Sequence, residues 1–419
     1  MKLPRRSRLI FHIDVNSAYL SWEAADQLQH GASLDIRTVP SVIGGDAEKR
    51  RGIVLAKSIP TKKYQINTGD TLYSARLKCP QLLIFPPRYD LYIRSSAAML
   101  ELLGEYSPSI QRYSIDEVFM DYTKMEEHFG EPIRVAHHIK DRVKRELGFT
   151  VNIGIAENKL LAKMASNFTK PDRVHTLFPE EIPTKLWPLP VEDLFMVGRA
   201  TVPKLHRIGI YTIGDLAHSD PKLLKKRLKS HGTLIWNYAN GKENSPVGNI
   251  PGIKSIGNSS TISFDVEDRK TAHMFLLSLT EMVAMRLRSS NYLAQVIGVS
   301  LKSQEFFSYS HQRRLYTPTD STNKIYTTAL ALFGEMWQGE PLRALGIRVG
   351  GLVDNTPRQL SLFDPGDLYR QRALDTVVDK MRVKYGSNII MRAVFLHSGI
   401  KPLTGGVGEE DYPLMSSIL

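Results

Sequence analysis

Residues 9–20 read LIFHIDVNSAYL, and residues 113–123 read YSIDEVFMDYT. The first is an apolar run interrupted by His12 and ended by Asp14, the pattern of a buried strand that delivers an acid at its end. The second, with the preceding Ile110, Gln111 and Arg112, reads as a hairpin that carries the adjacent pair Asp116 and Glu117. Neighbouring side chains of a regular strand point to opposite faces, so the pair can serve one site only at a bend or strand end. Ser114 and the hairpin setting supply such a place. Three acids converging on one point suit two divalent cations, which can activate an attacking oxygen and hold a leaving phosphate but demand anionic oxygen ligands. The plainer alternative is a surface acid pair on a hairpin, and the company these acids keep decides between the two.

Strand-like and helix-like segments alternate outward from these motifs. Residues 52–57 (GIVLAK) and 150–157 (TVNIGIAE) read as buried strands, and 89–107 and 134–148 as amphipathic helices. The order predicts a β-α-β-β-α-β sheet with helices on one face and a metal site on the open face. Residues 194–216 (LFMVGRATVPKLHRIGIYTIGDL) resemble paired helix-hairpin-helix elements, in which turns at Gly198 and Gly209 would offer N–H groups to a phosphate. Lys222, Lys225, Lys226, Arg227 and Lys229 follow, either tracking phosphates or forming a solvated face. A Gly, Pro and Asn-rich stretch, 240–258, reads as a linker, and a second β-α-β-β-α-β order then returns. On its strands Lys302, Arg313, Arg314, Arg343 and Arg348 are candidates for a nucleic-acid-facing surface.

The chain has 419 residues, a net charge of +12 and a single cysteine, Cys79. That length predicts several domains, and the charge favours a polyanionic partner through counterion release. One cysteine excludes an intrachain disulfide and any cysteine-rich zinc site and suits a reducing cytoplasm. No stretch approaches a membrane span, so no membrane is expected. His137 and His138 are adjacent on a helix, point in different directions and make a poor metal pair.

On these motifs the chain resembles the Y-family translesion DNA polymerases, nearer to the UmuC-like branch than to the shorter DinB type. The resemblance implies a mixed α/β right-handed polymerase: a ferredoxin-like palm (1–19 and 80–178), small fingers (20–79), a helix-hairpin-helix thumb (179–241), a linker (242–254), a βαββαβ little finger (255–353) and a tail (354–419). It also implies primer-template DNA and deoxynucleoside triphosphates as substrates. Two Mg2+ would be held by Asp14, Asp116, Glu117 and the carbonyl of Val15. Tyr19 would be the steric gate beneath the sugar. In GIAENKLLAKMASNFTKP (154–171), Lys159 and Lys163 share a helix face and Lys170 would contact the triphosphate. In VLAKSIPTKKYQI (54–66) the family's tyrosine and arginine are replaced by Ile59 and Lys62, so Lys62 offers a point charge instead of a bidentate fork. QLSLF (359–363) resembles the peptide that docks on the bacterial β sliding clamp, with Gln359, Leu362 and Phe363 as anchors. The tail beyond Asp364 is a candidate for a recombinase filament or for packing on the little finger. Two rivals stay open: a catalytically silent DNA- and clamp-binding factor, and another two-metal palm enzyme such as a nucleotide cyclase.

Overall fold

The computed structural model describes residues 8–45, 52–248, 252–355, 368–400 and 402–403. Strand β1 (Ile10–Val15) is buried along its whole length and leads into α1 (Ala18–Gln29). A small unit follows, β2 (Ser41–Gly44), β3 (Val54–Lys57), α2 (Leu72–Lys78) and β4 (Leu83–Phe85), with its strands ordered β3-β2-β4. The chain returns through α3 (Tyr89–Gly104), β5 (Ile110–Arg112), β6 (Glu117–Asp121), a short α4 (Glu126–Phe129), α5 (Pro132–Arg142), β7 (Val151–Ala156), α6 (Lys159–Ser166) and β8 (Val174–Thr176). These strands form one sheet, β5-β6-β1-β7-β8, with β1 at its centre and antiparallel to both neighbours.

Strand alternation assigns the two faces of that sheet to two cores. Phe11, Ile13, Val118, Met120 and Ile153 pack with Trp22 of α1, Tyr92 and Met99 of α3 and Ile139 of α5. Ile10 and Phe119 point the other way, into a core shared with α6 and a helical unit made of α7 (Val202–His206), α8 (Ile213–His218), α9 (Pro221–Leu228) and α10 (Ser230–Ala239). Helices therefore lie on both faces, not on one as the sequence pattern predicts. The reason is local: a Cβ at Gly154 would sit 2.0 Å from the carbonyl oxygen of Ala162, so only glycine lets α6 press this closely onto β7. Of the two hairpin-turn glycines, Gly209 adopts a positive φ of 77°.

The second sheet is built from β9 (Ser255–Val266), α11 (Arg269–Ser289), β10 (Tyr292–Ser303), β11 (Ser308–Thr319), α12 (Thr322–Met336) and β12 (Leu342–Asp354), with strand order β11-β10-β12-β9. Ile297, Val299, Leu301, Leu345 and Ile347 pack against α11 and α12. The opposite face carries Gly298, Ser300 and Gly346 with Lys302, Arg314 and Arg348 beside them, as the register requires. Lys302 and Arg343 flank the ring of Phe306 at 4.9 and 4.8 Å. Arg313 departs from its expected place: it faces the helices and pairs with Glu335 of α12. A last helix, α13 (Leu368–Tyr385), docks on the helical side through Arg288–Asp379 at 2.6 Å, while Glu281 receives Arg382 and Arg392. Among the described residues no helix is long and apolar enough to cross a membrane.

Candidate active site

The pairing of β1 with β6 sets Asp14 directly opposite Glu117, on the same face of the sheet. Asp116 is the residue just before β6. Its carbonyl accepts from the Val15 N–H at 3.0 Å, while the Glu117 carbonyl accepts from both Tyr113 and Ser114 at 2.9 and 3.1 Å. That tight closure suspends strand alternation, so Asp116 can turn to the side of its neighbour. The Ser114 hydroxyl donates to its carboxylate at 2.5 Å.

Two lysines face the acids. Helix α6 is capped by Asn158, whose side chain accepts from the Leu161 N–H at 2.9 Å, and it aims Lys163 at Glu117, with which it forms an ion pair. Lys170, in the segment after α6, pairs with Asp14. Lys159 shares the helix face of Lys163, yet it does not reach the acids. It donates to Gln111 at 3.1 Å and to the Pro246 carbonyl at 3.2 Å, tying the sheet to the chain beyond the helical unit.

Burial raises Asp14 to about 6, with Lys170 opposing and the charges of Glu117 and Asp116 adding to the rise. Burial also raises Asp116. Burial would raise Glu117 too, but His12 and Lys163 outweigh it and hold that carboxyl below the usual carboxylate range. His12, fully buried, is driven by burial to about 4 against the pull of Glu117, so near neutral pH it stands uncharged 3.4 Å from that carboxylate. Lys163 then supplies the charge that keeps Glu117 ionised.

Two buried asparagines hold the segment that carries Lys170. Asn152 donates to the carbonyls of Ser166 and Thr169 at 3.0 and 2.7 Å and accepts from Asn16 at 3.1 Å. Asn16 in turn accepts from the Thr150 hydroxyl and the Asp172 N–H, each at 3.0 Å. Sequence reading missed both, and His12 as a site residue. The available signal was polar side chains inside otherwise apolar strand runs, which must find partners when buried.

Asp14, Val15, Tyr19, Asp116, Glu117 and Lys170 all line one cleft of about 600 Å³. Tyr19 is half-buried there, and its ring stacks on Tyr92 with centroids 4.4 Å apart. Lys62 lies outside this cleft, in an adjoining pocket of about 310 Å³ that Lys170 also lines. Gln359, Leu362 and Phe363 fall outside the described residues.

Among the described residues no three His, Cys, Asp or Glu side chains are gathered closely enough to hold a metal ion unaided. The donors are nevertheless hard oxygens, and magnesium is ordinarily held by one or two carboxylates completed by substrate phosphates and water. The acids therefore fit cations that arrive with a phosphorylated substrate. Chemistry of that kind belongs to a nucleotidyltransferase that needs a divalent metal.

Comparison with known proteins narrows the class. The model of the impB/mucB/samB family matches residues 13–167, that of its C-terminal domain residues 253–362, and the IMS family HHH motif residues 179–210. DNA polymerase IV of Clostridium acetobutylicum is 48% identical over 391 residues, 93% of this chain and 98% of that relative. DNA polymerase IV 1 of Bacillus subtilis is 34% identical over 414 residues, 98% of each chain. The solved Y-family DNA polymerase chimera Dbh-Dpo4(243-245)-Dbh superposes with a TM-score of 0.71 at 21% identity, covering 83% of this chain and 100% of the chimera. The chain belongs to the impB/mucB/samB family of Y-family translesion DNA polymerases. The expected nearness to the UmuC-like branch is overturned, because these relatives are named DNA polymerase IV. The DinB type was expected to be shorter, but the Bacillus relative aligns over 414 residues.

Proposed function

We propose that this polymerase extends primers past damaged template bases with two Mg2+ held by Asp14, Asp116, Glu117 and the Val15 carbonyl. The observation that carries this reading is the shared cleft: all four residues line it together with Tyr19 and Lys170. When bound, the cations would make the primer 3′-hydroxyl a better nucleophile and neutralise charge on the nucleotide phosphates. The chain's own residues do the rest. Lys163 keeps Glu117 ionised, and Lys170, freed from Asp14, meets the triphosphate together with Lys62. Tyr19, braced by Tyr92, stands where a 2′-hydroxyl would have to fit.

In this reading the five-stranded sheet is the palm, the β2-β3-β4 unit the fingers, α7 to α10 the thumb and the second sheet the little finger. The open face of the little finger suits duplex backbone, with small residues at its centre and Lys302, Arg314 and Arg348 beside them. Gln359, Leu362 and Phe363 would tether the enzyme to the β sliding clamp, raising the local concentration of primer ends. A recombinase filament would have to use the exposed side of α13, with Leu374 and Val377, since its other side already packs on the little finger. All these partners place the work in the cytoplasm.

The test is primer extension with magnesium and four deoxynucleotides on intact and abasic templates, comparing the natural chain with Asp116→Asn. Extension past the abasic site that disappears in the variant supports the proposal. Equal extension by both proteins would remove Asp116 from the machinery. Tight DNA binding with no extension by either would favour the silent factor.

A further inference from the structure

The catalytic cleft and the adjoining pocket share three lining residues: Ser17, Lys57 and Lys170. Lys170 is the expected phosphate contact. Lys57, the last residue of β3, has been assigned no role by the sequence motifs. Its ammonium donates to the Ile66 carbonyl at 2.6 Å and to the Asn67 side-chain oxygen at 3.0 Å. Both acceptors are neutral. They orient the group without cancelling its charge, and an ammonium has three N–H donors, so one remains for a further acceptor.

The surroundings ask for an anion. Lys62 lines the same pocket. Arg37 lines it as well, but its guanidinium is already held by Asp35 at 2.8 Å. Burial, then repulsion from Lys62, lowers the affinity of Lys57 for its own proton; the Asp70 carboxylate opposes this but is already paired with Lys78, which adds to the repulsion, and a bound polyanion would relieve it. Ile59, two residues on, is half-exposed and offers no polar atom beyond its backbone.

We infer that Lys57 is a triphosphate-binding residue, a third ammonium that with Lys62 and Lys170 cradles the nucleotide's phosphates between the two pockets. This rests on the polymerase reading above. The cradle would then consist of separate point charges, with Lys57 supplying from β3 the contact that Ile59 cannot make.

The test is single-nucleotide insertion by the natural chain, Lys57→Ala, Lys57→Met and Lys57→Arg, with inorganic tripolyphosphate as competitive inhibitor. Loss of one charge-assisted hydrogen bond should raise the KM for deoxynucleotide about tenfold in the Ala and Met variants while kcat changes less than about twofold. The inhibition constant of tripolyphosphate should rise by the same factor, and Arg should recover most of both. A structural tether of residues 66–67 would lower thermal stability and move KM without moving the tripolyphosphate constant, and that outcome overturns the inference. So does an unchanged KM in both the Ala and Met variants. If the natural chain extends no primer yet tripolyphosphate binding still depends on Lys57, the polymerase reading falls and the anion site stands.

Discussion

The two large sheets of this molecule treat charge in opposite ways. The five-stranded sheet is covered on both faces, and its central strand buries His12 and Asp14. The four-stranded sheet is covered by α11 and α12 on one face and leaves Lys302, Arg314 and Arg348 on the other, where Arg348 is exposed. Similar orders of strands and helices therefore produce different electrostatic environments. In the first, low polarity shifts proton affinities and every polar atom needs a partner. In the second, water screens each cation, and what counts is how many of them a polyanion can meet. The first arrangement suits chemistry at fixed atoms and the second suits grip without sequence preference.

Glu117→Gln should break the comparison most severely. It keeps the shape of the side chain and removes the charge opposite Asp14, so insertion should slow by about 10²–10³, the usual cost of losing a preorganised electrostatic group. Binding of primer-template, measured by fluorescence anisotropy, should stay within about twofold because the grip lies elsewhere. A variant that inserts normally would show that burial in the central sheet is structural only.

Asn152→Leu tests the scaffold beneath the same site. It removes the donors to Ser166 and Thr169 and leaves the side chain of Asn16 short of a partner. Unfolding in urea should show a loss of about 2–4 kcal/mol, the scale for stripping a buried polar network. Insertion should also fall, through KM, because the Lys170 segment loses its anchor.

What the sequence made legible follows the same division. Strand β1 and the 113–123 hairpin were readable because apolar runs and an acid at a strand end are local signals. The second cover on the central sheet was not, since it depends on Gly154 meeting α6 and on a helical unit beginning some way downstream. The Asn16–Asn152 pair joins residues 136 apart, and no local pattern announces it. Helical spacing placed Lys159 and Lys163 on one face but could not tell which acceptor each reaches. Register decided the basic strands: Lys302 and Arg348 share the open face, whereas Arg313 is turned to Glu335. Lys57 was legible as a residue and not as a site, because its meaning comes from two pockets meeting.

Lys302→Ala with Arg348→Ala sharpens the open-sheet side of the comparison. Each lost phosphate contact should reduce the slope of log affinity against log salt by about 0.9, so the pair should flatten it by roughly 2. Insertion by enzyme already saturated with DNA should hold. A drop in that rate would mean that the second sheet positions the primer end as well as holding the duplex.

The smallest effect belongs to Asp172, which links the Lys170 segment to α5 through Lys140 at 2.9 Å, with Lys144 at 3.1 Å. Burial pushes its carboxyl up, but the hydrogen bonds and charges of Lys140 and Lys144 outweigh it and hold the group below the usual carboxylate range. A depressed folded value means that the unfolded chain takes up the proton first. The stabilisation is therefore present above the unfolded value near 4 and is lost as pH falls through the folded value beneath it. Asp172→Asn should cost less than about 1 kcal/mol at pH 7, since the carboxyl is partly open to water. The gap between natural chain and variant should begin to close as pH falls below about 4 and should vanish once pH is below the folded value, where both carry a neutral side chain. Urea titrations at pH 7 and pH 3 measure it. A gap that persists below the folded value would show that the side-chain hydrogen bonds to Lys140 and Lys144 count here through their geometry more than through charge. Even this partly open pair would then obey the rules of the buried sheet.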